Sequence, residues 1–261
     1  MTKGPVLILG VSSGFGAAAA RAFAAEGRDI YGVHLDRRST MDRVSALRAD
    51  IELTGSTLHL FNSNAADDEK RAEMIAQIQE LLGEQTFSVV LHSLAFGSLK
   101  PFVPADSDAR GASRKQLEMT LDVMARSLVY WVQDLVSKRL LTSGGRVYAM
   151  TSMGSHQAWS DYGPVSAAKA ALESHVRQLC LELAPRQITI NAIMAGVTQT
   201  PALEKIPSAE TIMAKSRDRN PHDRLTRPED VAACLVELAR PGTYWMTGNV
   251  IRVDGGEDFC A

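Results

Sequence analysis

Tyr162 and Lys169 stand seven positions apart in the stretch TSMGSHQAWSDYGPVSAAKAALE, residues 151–173. On a helix that spacing is about two turns, so the two side chains are expected on one face. A positive charge beside a phenol favours the phenolate and makes the hydroxyl easier to ionise. The pair therefore suits proton donation to an oxygen that gains negative charge, or stabilisation of that oxygen, with Lys169 as the electrostatic tuner. The same spacing also describes an aromatic at the start of a helix and a solvated lysine, and a lone pair does not separate the two.

The elements around the pair sharpen the choice. Arg146 to Met150 (RVYAM) reads as a buried strand leading into the stretch, and Ala167, Ala168, Ala170, Ala171 and Leu172 read as a packed helix. At the start of the chain, Val6 to Leu9 is a short apolar run of the kind buried in a parallel sheet. Gly10-Val11-Ser12-Ser13-Gly14-Phe15-Gly16 follows, then an alanine-rich helix from Ala17 to Glu26 that stops at Gly27. Strand, glycine turn and helix in that order bring backbone N–H groups and a helix N-terminus to one place, where a pyrophosphate can be held. Gly10 permits the tight turn, and Gly14 and Gly16 let backbone and cofactor approach closely. The spacing is GxxxGxG rather than GxGxxG.

A second strand, Ile30 to Leu35, ends in Asp36-Arg37-Arg38. An acidic residue there is placed to hold adenosine ribose hydroxyls, and a basic one to hold a 2′-phosphate. Asp36 argues for NADH, Arg37 and Arg38 for NADPH, and the sequence leaves both open. A third strand is expected at Thr57 to Phe61. After it, Asn64 or its neighbour Ala65 is a candidate adenine contact, and Asp67 a cap for the helix from near Asp68 to Leu82. The fourth strand, Ser88 to Leu91, runs into His92-Ser93-Leu94-Ala95-Phe96-Gly97. Glu118 to Leu141 reads as one long helix, Pro228 to Leu238 as another with proline in its first turn, and Val250 to Val253 as a closing strand. Ala202 to Leu225 has weak periodicity and reads as part of a mobile lid, at about 199–225, over the substrate site, with Ile206 and Met213 as candidate wall residues.

Composition narrows the class. The 261 residues are 45% hydrophobic and 22% charged with net charge −2, which fits one large α/β domain and gives no nucleic-acid surface. No apolar run approaches the roughly 20 residues of a membrane span, and the start of the chain lacks the features of a secretory signal. Cys180, Cys234 and Cys260 are widely spaced and fit a reducing cytoplasm, Cys180 and Cys234 as small core residues on helices. No Cys/His cluster has metal-ligand spacing, so no metal site is expected.

The GVSSGFG loop, the strand–helix alternation, the helix with Lys169, the Ile188-Thr189-Ile190-Asn191-Ala192 strand and Val253-Asp254-Gly255-Gly256 together resemble the short-chain dehydrogenase/reductase family over nearly the whole chain. Most of that family has its tyrosine four residues before the lysine, where this chain has Val165. The Tyr162-x6-Lys169 spacing, His92-Ser93-Leu94-Ala95-Phe96 and Ala195-Gly196 instead resemble the enoyl-acyl-carrier-protein reductase branch, and TSMGSHQAWSDY looks closest to its Bacillus-type, triclosan-tolerant form.

The resemblance implies a Rossmann-like, doubly wound, seven-stranded parallel sheet, usually in a homotetramer, with NADH or NADPH as cofactor. It implies hydride transfer to the β-carbon of a trans-2-enoyl thioester carried on acyl carrier protein. Tyr162 then faces the thioester oxygen and Lys169 the nicotinamide ribose. Ser152 sits where the wider family keeps a catalytic serine, and its role stays open between substrate carbonyl and loop backbone. Further cofactor contacts are implied at Ser12, Ser13 and Phe15 in the glycine loop and at Ser93 and Ala95 after the fourth strand. Val197 and Thr198 are implied at the nicotinamide carboxamide. Ser127 falls where the wider family keeps an asparagine, and the helix after Glu118 is expected in a dimer interface. Two other readings stand beside this one: a carbonyl, hydroxysteroid or 3-oxoacyl oxidoreductase using Ser152 and Tyr162 on one carbonyl, and a non-catalytic nucleotide-binding module, supported only by Val165.

Overall fold

The structure, a computed structural model, describes residues 4–106, 108–206 and 208–260. Seven strands form one parallel sheet in the order β3-β2-β1-β4-β5-β6-β7. They are β1 (Val6–Leu9), β2 (Ile30–His34), β3 (Leu58–Asn62), β4 (Phe87–His92), β5 (Leu141–Ser152), β6 (Thr189–Ala195) and β7 (Val250–Val253). The helices are α1 (Gly14–Ala25), α2 (Met41–Glu52), α3 (Asp68–Leu82), α4 (Arg114–Leu121), α5 (Ser127–Ser137), α6 (Gly163–Leu183), α7 (Ala209–Arg219) and α8 (Pro228–Leu238).

Strand alternation divides the core into two layers. Val6 and Ile8 of β1 pack with Phe23 of α1, Leu47 and Ile51 of α2 and Leu235 of α8. Leu7 and Leu9 face the other way, against Ile78 of α3, Trp131 and Leu135 of α5 and Leu172 and Val176 of α6. A sheet buried on both faces needs apolar residues at nearly every strand position, which is why β1 and β2 are buried along their whole length. The strand order reverses between β1 and β4. In a doubly wound sheet the crevice opens at that point, beyond the C-terminal strand ends. The glycine turn after Leu9 and the His92-Ser93 segment after β4 meet there, with Leu9 and His92 in register.

Two expected boundaries move. The long helix expected from Glu118 to Leu141 is α4, a π-helical turn at Asp122–Arg126, then α5 ending at Ser137. Arg139 adopts a left-handed φ of 58°, which no helix continues through, and Leu141 already begins β5. The helix carrying Lys169 begins at Gly163, so Tyr162 stands at its N-cap rather than within it. Pro164 fits in that first turn, where a missing N–H costs nothing. Cys180 and Cys234 are half-buried, on α6 and α8, and pack against the two core layers. Among the described residues no helix is long and apolar enough to cross a membrane, and no group of three or more His, Cys, Asp or Glu is placed to hold a metal ion.

Candidate active site

A cavity of about 230 Å³ runs along the C-terminal strand ends. Phe15 borders it from the glycine turn, Ser93 and Ala95 from the segment after β4, and Ser152, Tyr162 and Lys169 from the β5–α6 side. Val197 and Thr198 border it from the loop after β6. Eight of the catalytic and cofactor residues expected from sequence are thus brought to one cleft, with Val165 on the same wall.

Tyr162 is wedged between two small apolar clusters, one around Met124, Val165 and Ala168 and one around Ile206 and Ile212. Its hydroxyl lies 3.3 Å from Ser152 Oγ. Burial pushes the phenol above its ordinary value of 10.0, and the Ser152 hydrogen bond only partly opposes this. This corrects the expectation that Lys169 eases ionisation of Tyr162. The ammonium is buried and donates to the carbonyl of Met150 at 2.7 Å. Its own pKa is lowered to about 8 by burial, against an opposing pull from Glu173. The cleft thus holds a neutral phenol as hydrogen-bond donor, not a phenolate.

Behind the cleft, His92 is fully buried, and its Nε2 pairs with Ser127 Oγ at 2.8 Å. Burial, with Lys169 nearby, lowers the imidazole to about 3, so it is neutral. The Ser127 hydroxyl also donates to the carbonyl of Val123, which the π-helical turn makes available.

The glycine turn fits a dinucleotide. α1 starts with no side-chain cap and no acidic residue in its first turn, leaving its positive end open to an anion. Gly10 is required twice over: its φ is +90°, and a Cβ there would meet Ser93 O at 2.5 Å. Gly16 is required by the turn itself, because a Cβ there would meet Gly10 O at 2.0 Å. Ser13 occupies the N-cap of α1, and the Ser12 side chain hydrogen-bonds Asp36.

At the adenosine end the sequence expectations change most. The Asp36 carboxylate is not presented to the cleft. Thr40 Oγ1 donates to its Oδ1 at 2.7 Å and Arg43 Nε at 2.9 Å, Arg43 Nη2 makes a further contact, and His34 Nδ1 meets Oδ2 at 3.0 Å. Burial alone pushes this carboxyl up, but the hydrogen bonds from Ser12, Thr40, Arg43 and His34 outweigh it and hold it at about 2. Asn62 clamps the same residue through its backbone, accepting from Asp36 N and donating to Asp36 O. Arg37 is exposed. Asn64 turns onto its own backbone, accepting from Ala66 N at 3.1 Å, and the carbonyl of Ala65 is held by Trp131 Nε1 at 2.8 Å. Neither borders the cavity.

Two expected nicotinamide contacts already have protein partners. Val197 N donates to Glu257 Oε2 at 3.0 Å, and Thr198 Oγ1 donates to Gly196 O at 2.9 Å. Of the expected wall residues Ile206 borders the cavity, but Ile212 does so in place of Met213. Sequence reasoning missed Glu257, Asn62, Arg43 and Trp159. Trp159, three residues before Tyr162, carried the clearest signal, an aromatic beside the candidate tyrosine.

Residues 10–257 match the family described as enoyl-(acyl carrier protein) reductase. The chain is 29% identical over 209 residues to the NADPH-dependent enoyl-[acyl-carrier-protein] reductase FabI of Staphylococcus aureus, covering 78% of this chain and 77% of that one. It is 28% identical over 253 residues to an uncharacterized oxidoreductase of Mycobacterium tuberculosis, covering 97% and 91%. Among solved structures, the NADH-dependent enoyl-[acyl-carrier-protein] reductase of Aquifex aeolicus superposes with a TM-score of 0.85 at 25% identity, covering 100% of this chain and 98% of that one. The Bacillus cereus enoyl-acyl carrier protein reductase with NADP+ and an indole naphthyridinone gives 0.87 at 24% identity, again over 100% and 98%, which speaks for the fold alone.

Proposed function

This chain belongs to the enoyl-(acyl carrier protein) reductase family within the short-chain dehydrogenases/reductases, is an NAD(P)H-dependent oxidoreductase, and we propose from that premise that it reduces trans-2-enoyl thioesters in fatty-acid synthesis. The cofactor, when bound, supplies a hydride. The chain's own residues then have three tasks.

The first is to receive negative charge. Hydride arrival at the substrate β-carbon moves an electron pair onto the thioester oxygen as an enolate. Tyr162 O–H is a neutral, buried donor with that cleft in front of it. Its bond to the oxygen strengthens as charge develops, so it stabilises the transition state more than the ground state. The second task is to hold the ribose of the nicotinamide half, which falls to Lys169 from the cleft wall. The third is to exclude water. Leu203 and Ile206 lie beside Ile212 of α7 over the Tyr162 ring, and we assign residues of about 199–225 the role of lid. An acyl thioester on a carrier protein suits this largely apolar cleft, and exposed Tyr130 on α5 and Leu181 on α6 suit the expected packing of these helices between subunits.

The observation that carries the proposal is the un-ionised Tyr162 hydroxyl, buried in an apolar cleft that Lys169 shares. Oxidation of NADPH or NADH on addition of crotonyl thioester tests it, with Tyr162→Phe as control. The 3.3 Å approach of Ser152 Oγ to Tyr162 also favours a second reading, in which both hydroxyls hold one ketone or 3-oxoacyl carbonyl. Acetoacetyl thioester assayed beside crotonyl thioester decides between them. Cofactor binding with no turnover on either would favour a nucleotide-binding module instead.

A further inference from the structure

The segment 36–43 contains three arginines and two aspartates, DRRSTMDR. What matters for cofactor choice is which of these charges reaches a ligand. Asp36 does not. Its side chain has no exposed surface, and its two oxygens are taken by Thr40, Arg43 and His34, with Ser12 closing in from the glycine turn. Three of the contacts fall on Oδ1 and saturate it, and His34 sits on Oδ2. To chelate a ribose 2′,3′-diol, Asp36 would have to give up its ion pair with Arg43 for bonds from uncharged hydroxyls, an exchange that runs uphill. Arg43 also cancels its charge at contact distance.

Arg37 and Arg38 are exposed and have no acidic partner among the described residues. The Arg43 side chain is still 38% exposed while its Nε and Nη2 hold Asp36. Asp42, also exposed, is the remaining acidic neighbour. The surface offered to the adenosine is therefore basic, and it is built on a carboxylate turned inward.

We infer that this chain selects NADPH, with Asp36 acting as an internal anchor for Arg43 and not as a ribose ligand, and with Arg43, Arg37 and Arg38 forming the seat for a 2′-phosphate. The relatives named above include both NADPH and NADH forms, so family membership does not decide the matter. The inference rests on the dinucleotide reading of the glycine turn and is independent of the thioester.

Calorimetric titration of the whole protein with NADPH, NADH, 2′,5′-ADP and 5′-AMP tests it without turnover. NADPH is expected to bind at least about tenfold tighter than NADH, and 2′,5′-ADP tighter than 5′-AMP by a similar factor, as two or more arginine–phosphate contacts allow. Replacing Arg37 and Arg38 together by Ala should cut the NADPH:NADH affinity ratio by about tenfold, and Arg43→Ala should cut it further, because it also unmasks Asp36. Asp36→Asn should leave the ratio above one. Should that variant not fold, the wild-type ratio and the Arg37/Arg38 variant still decide. NADH binding as tightly as NADPH, or a ratio indifferent to the arginines, overturns the inference. Failure of all four ligands to bind overturns the dinucleotide reading together with it.

Discussion

The Glu257 carboxylate accepts the backbone N–H of Val197 at 3.0 Å, joining a turn near the end of the chain to the loop that follows β6. Glu257 has no exposed surface. Its carbonyl accepts from Arg219 Nη2 of α7 at 3.1 Å. Gly196 is forced by the same contact, since a Cβ there would meet Glu257 Oε2 at 2.7 Å and Thr226 Oγ1 at 2.3 Å. One buried acid thus fixes both the loop proposed to meet the nicotinamide and the helix proposed to cover the substrate.

Glu257→Ala leaves the Val197 N–H without this acceptor, at a cost of about 1–3 kcal/mol. It should raise KM for the cofactor more than it lowers kcat. Glu257→Gln keeps an oxygen for that N–H and should recover most of the loss. Burial raises this carboxyl above the ordinary 4.5. The folded state therefore holds the proton more tightly than the unfolded state. Stability from this group falls as pH rises from about the ordinary value through the raised one, and is flat above. Thermal melts of wild type and Glu257→Gln across that window should differ in slope; equal slopes and an unmoved cofactor KM would remove Glu257 from its positioning role.

Tyr162→Phe removes a hydroxyl and keeps the ring that packs with Ile206 and Val165. A positioned donor of this kind is worth about 10²–10³ in rate. The variant should lose that much kcat on crotonyl thioester with a melting temperature within a few degrees of wild type. Ser152→Ala should cost less on crotonyl than on acetoacetyl thioester if the enoyl reading holds, and the reverse order would favour the carbonyl reading. Because burial raises the phenol, a spectroscopic titration of the protein should show no Tyr162 phenolate until above pH 10.

Lys169 is a buried cation whose pKa falls from 10.5 to about 8. Its charged form is disfavoured in the folded state. The unfolded chain therefore binds more proton between the two values, and stability from this group rises as pH climbs from about 8 to 10.5. At about 1.4 kcal/mol per pH unit, the burial penalty below pH 8 is about 3 kcal/mol. Lys169→Met should then be at least as stable as wild type at neutral pH, lack the rise above pH 8, and be nearly inactive. A variant that is both unstable and steeply pH-dependent would show that the ammonium is not the source of the slope.

The parts of this chain that could be read in advance are those whose signals are local. β1, the glycine turn, Asp67 capping α3, α8 from Pro228 to Leu238 and β7 each depend on a few adjacent residues. What escaped depends on partners distant in sequence. Asp36 looks like a ribose ligand until Ser12, Thr40 and Arg43 close around it. Glu257 looks like a tail charge until β7 brings it beneath Val197. The π-helical turn leaves no mark in the apolar periodicity, because Met124 and Leu128 stay buried on either side of Ala125. Tyr162 could have been set just outside its helix from Pro164 alone.

Chain-length selection provides the most direct test of where the acyl group lies. Ile206, Ala209 and Ile212 form a satellite cluster with Trp159, Leu203 and the Tyr162 ring, separate from the two main core layers. Both isoleucines border the cavity. Ile212→Ala would lengthen the apolar space beyond Tyr162. An extra methylene in such a pocket is worth about 1–3 kcal/mol, so the ratio of octenoyl to crotonyl turnover, as kcat/KM, should rise by about tenfold or more. The same change should destabilise by about 2–3 kcal/mol, toward the low end for buried aliphatics, since a small cluster on α7 can relax. Met213→Ala on the same helix does not touch the cavity and should leave the chain-length profile unchanged. If the two variants alter the profile alike, α7 does not form the acyl wall, and the thioester enters from the Met124 and Val165 side.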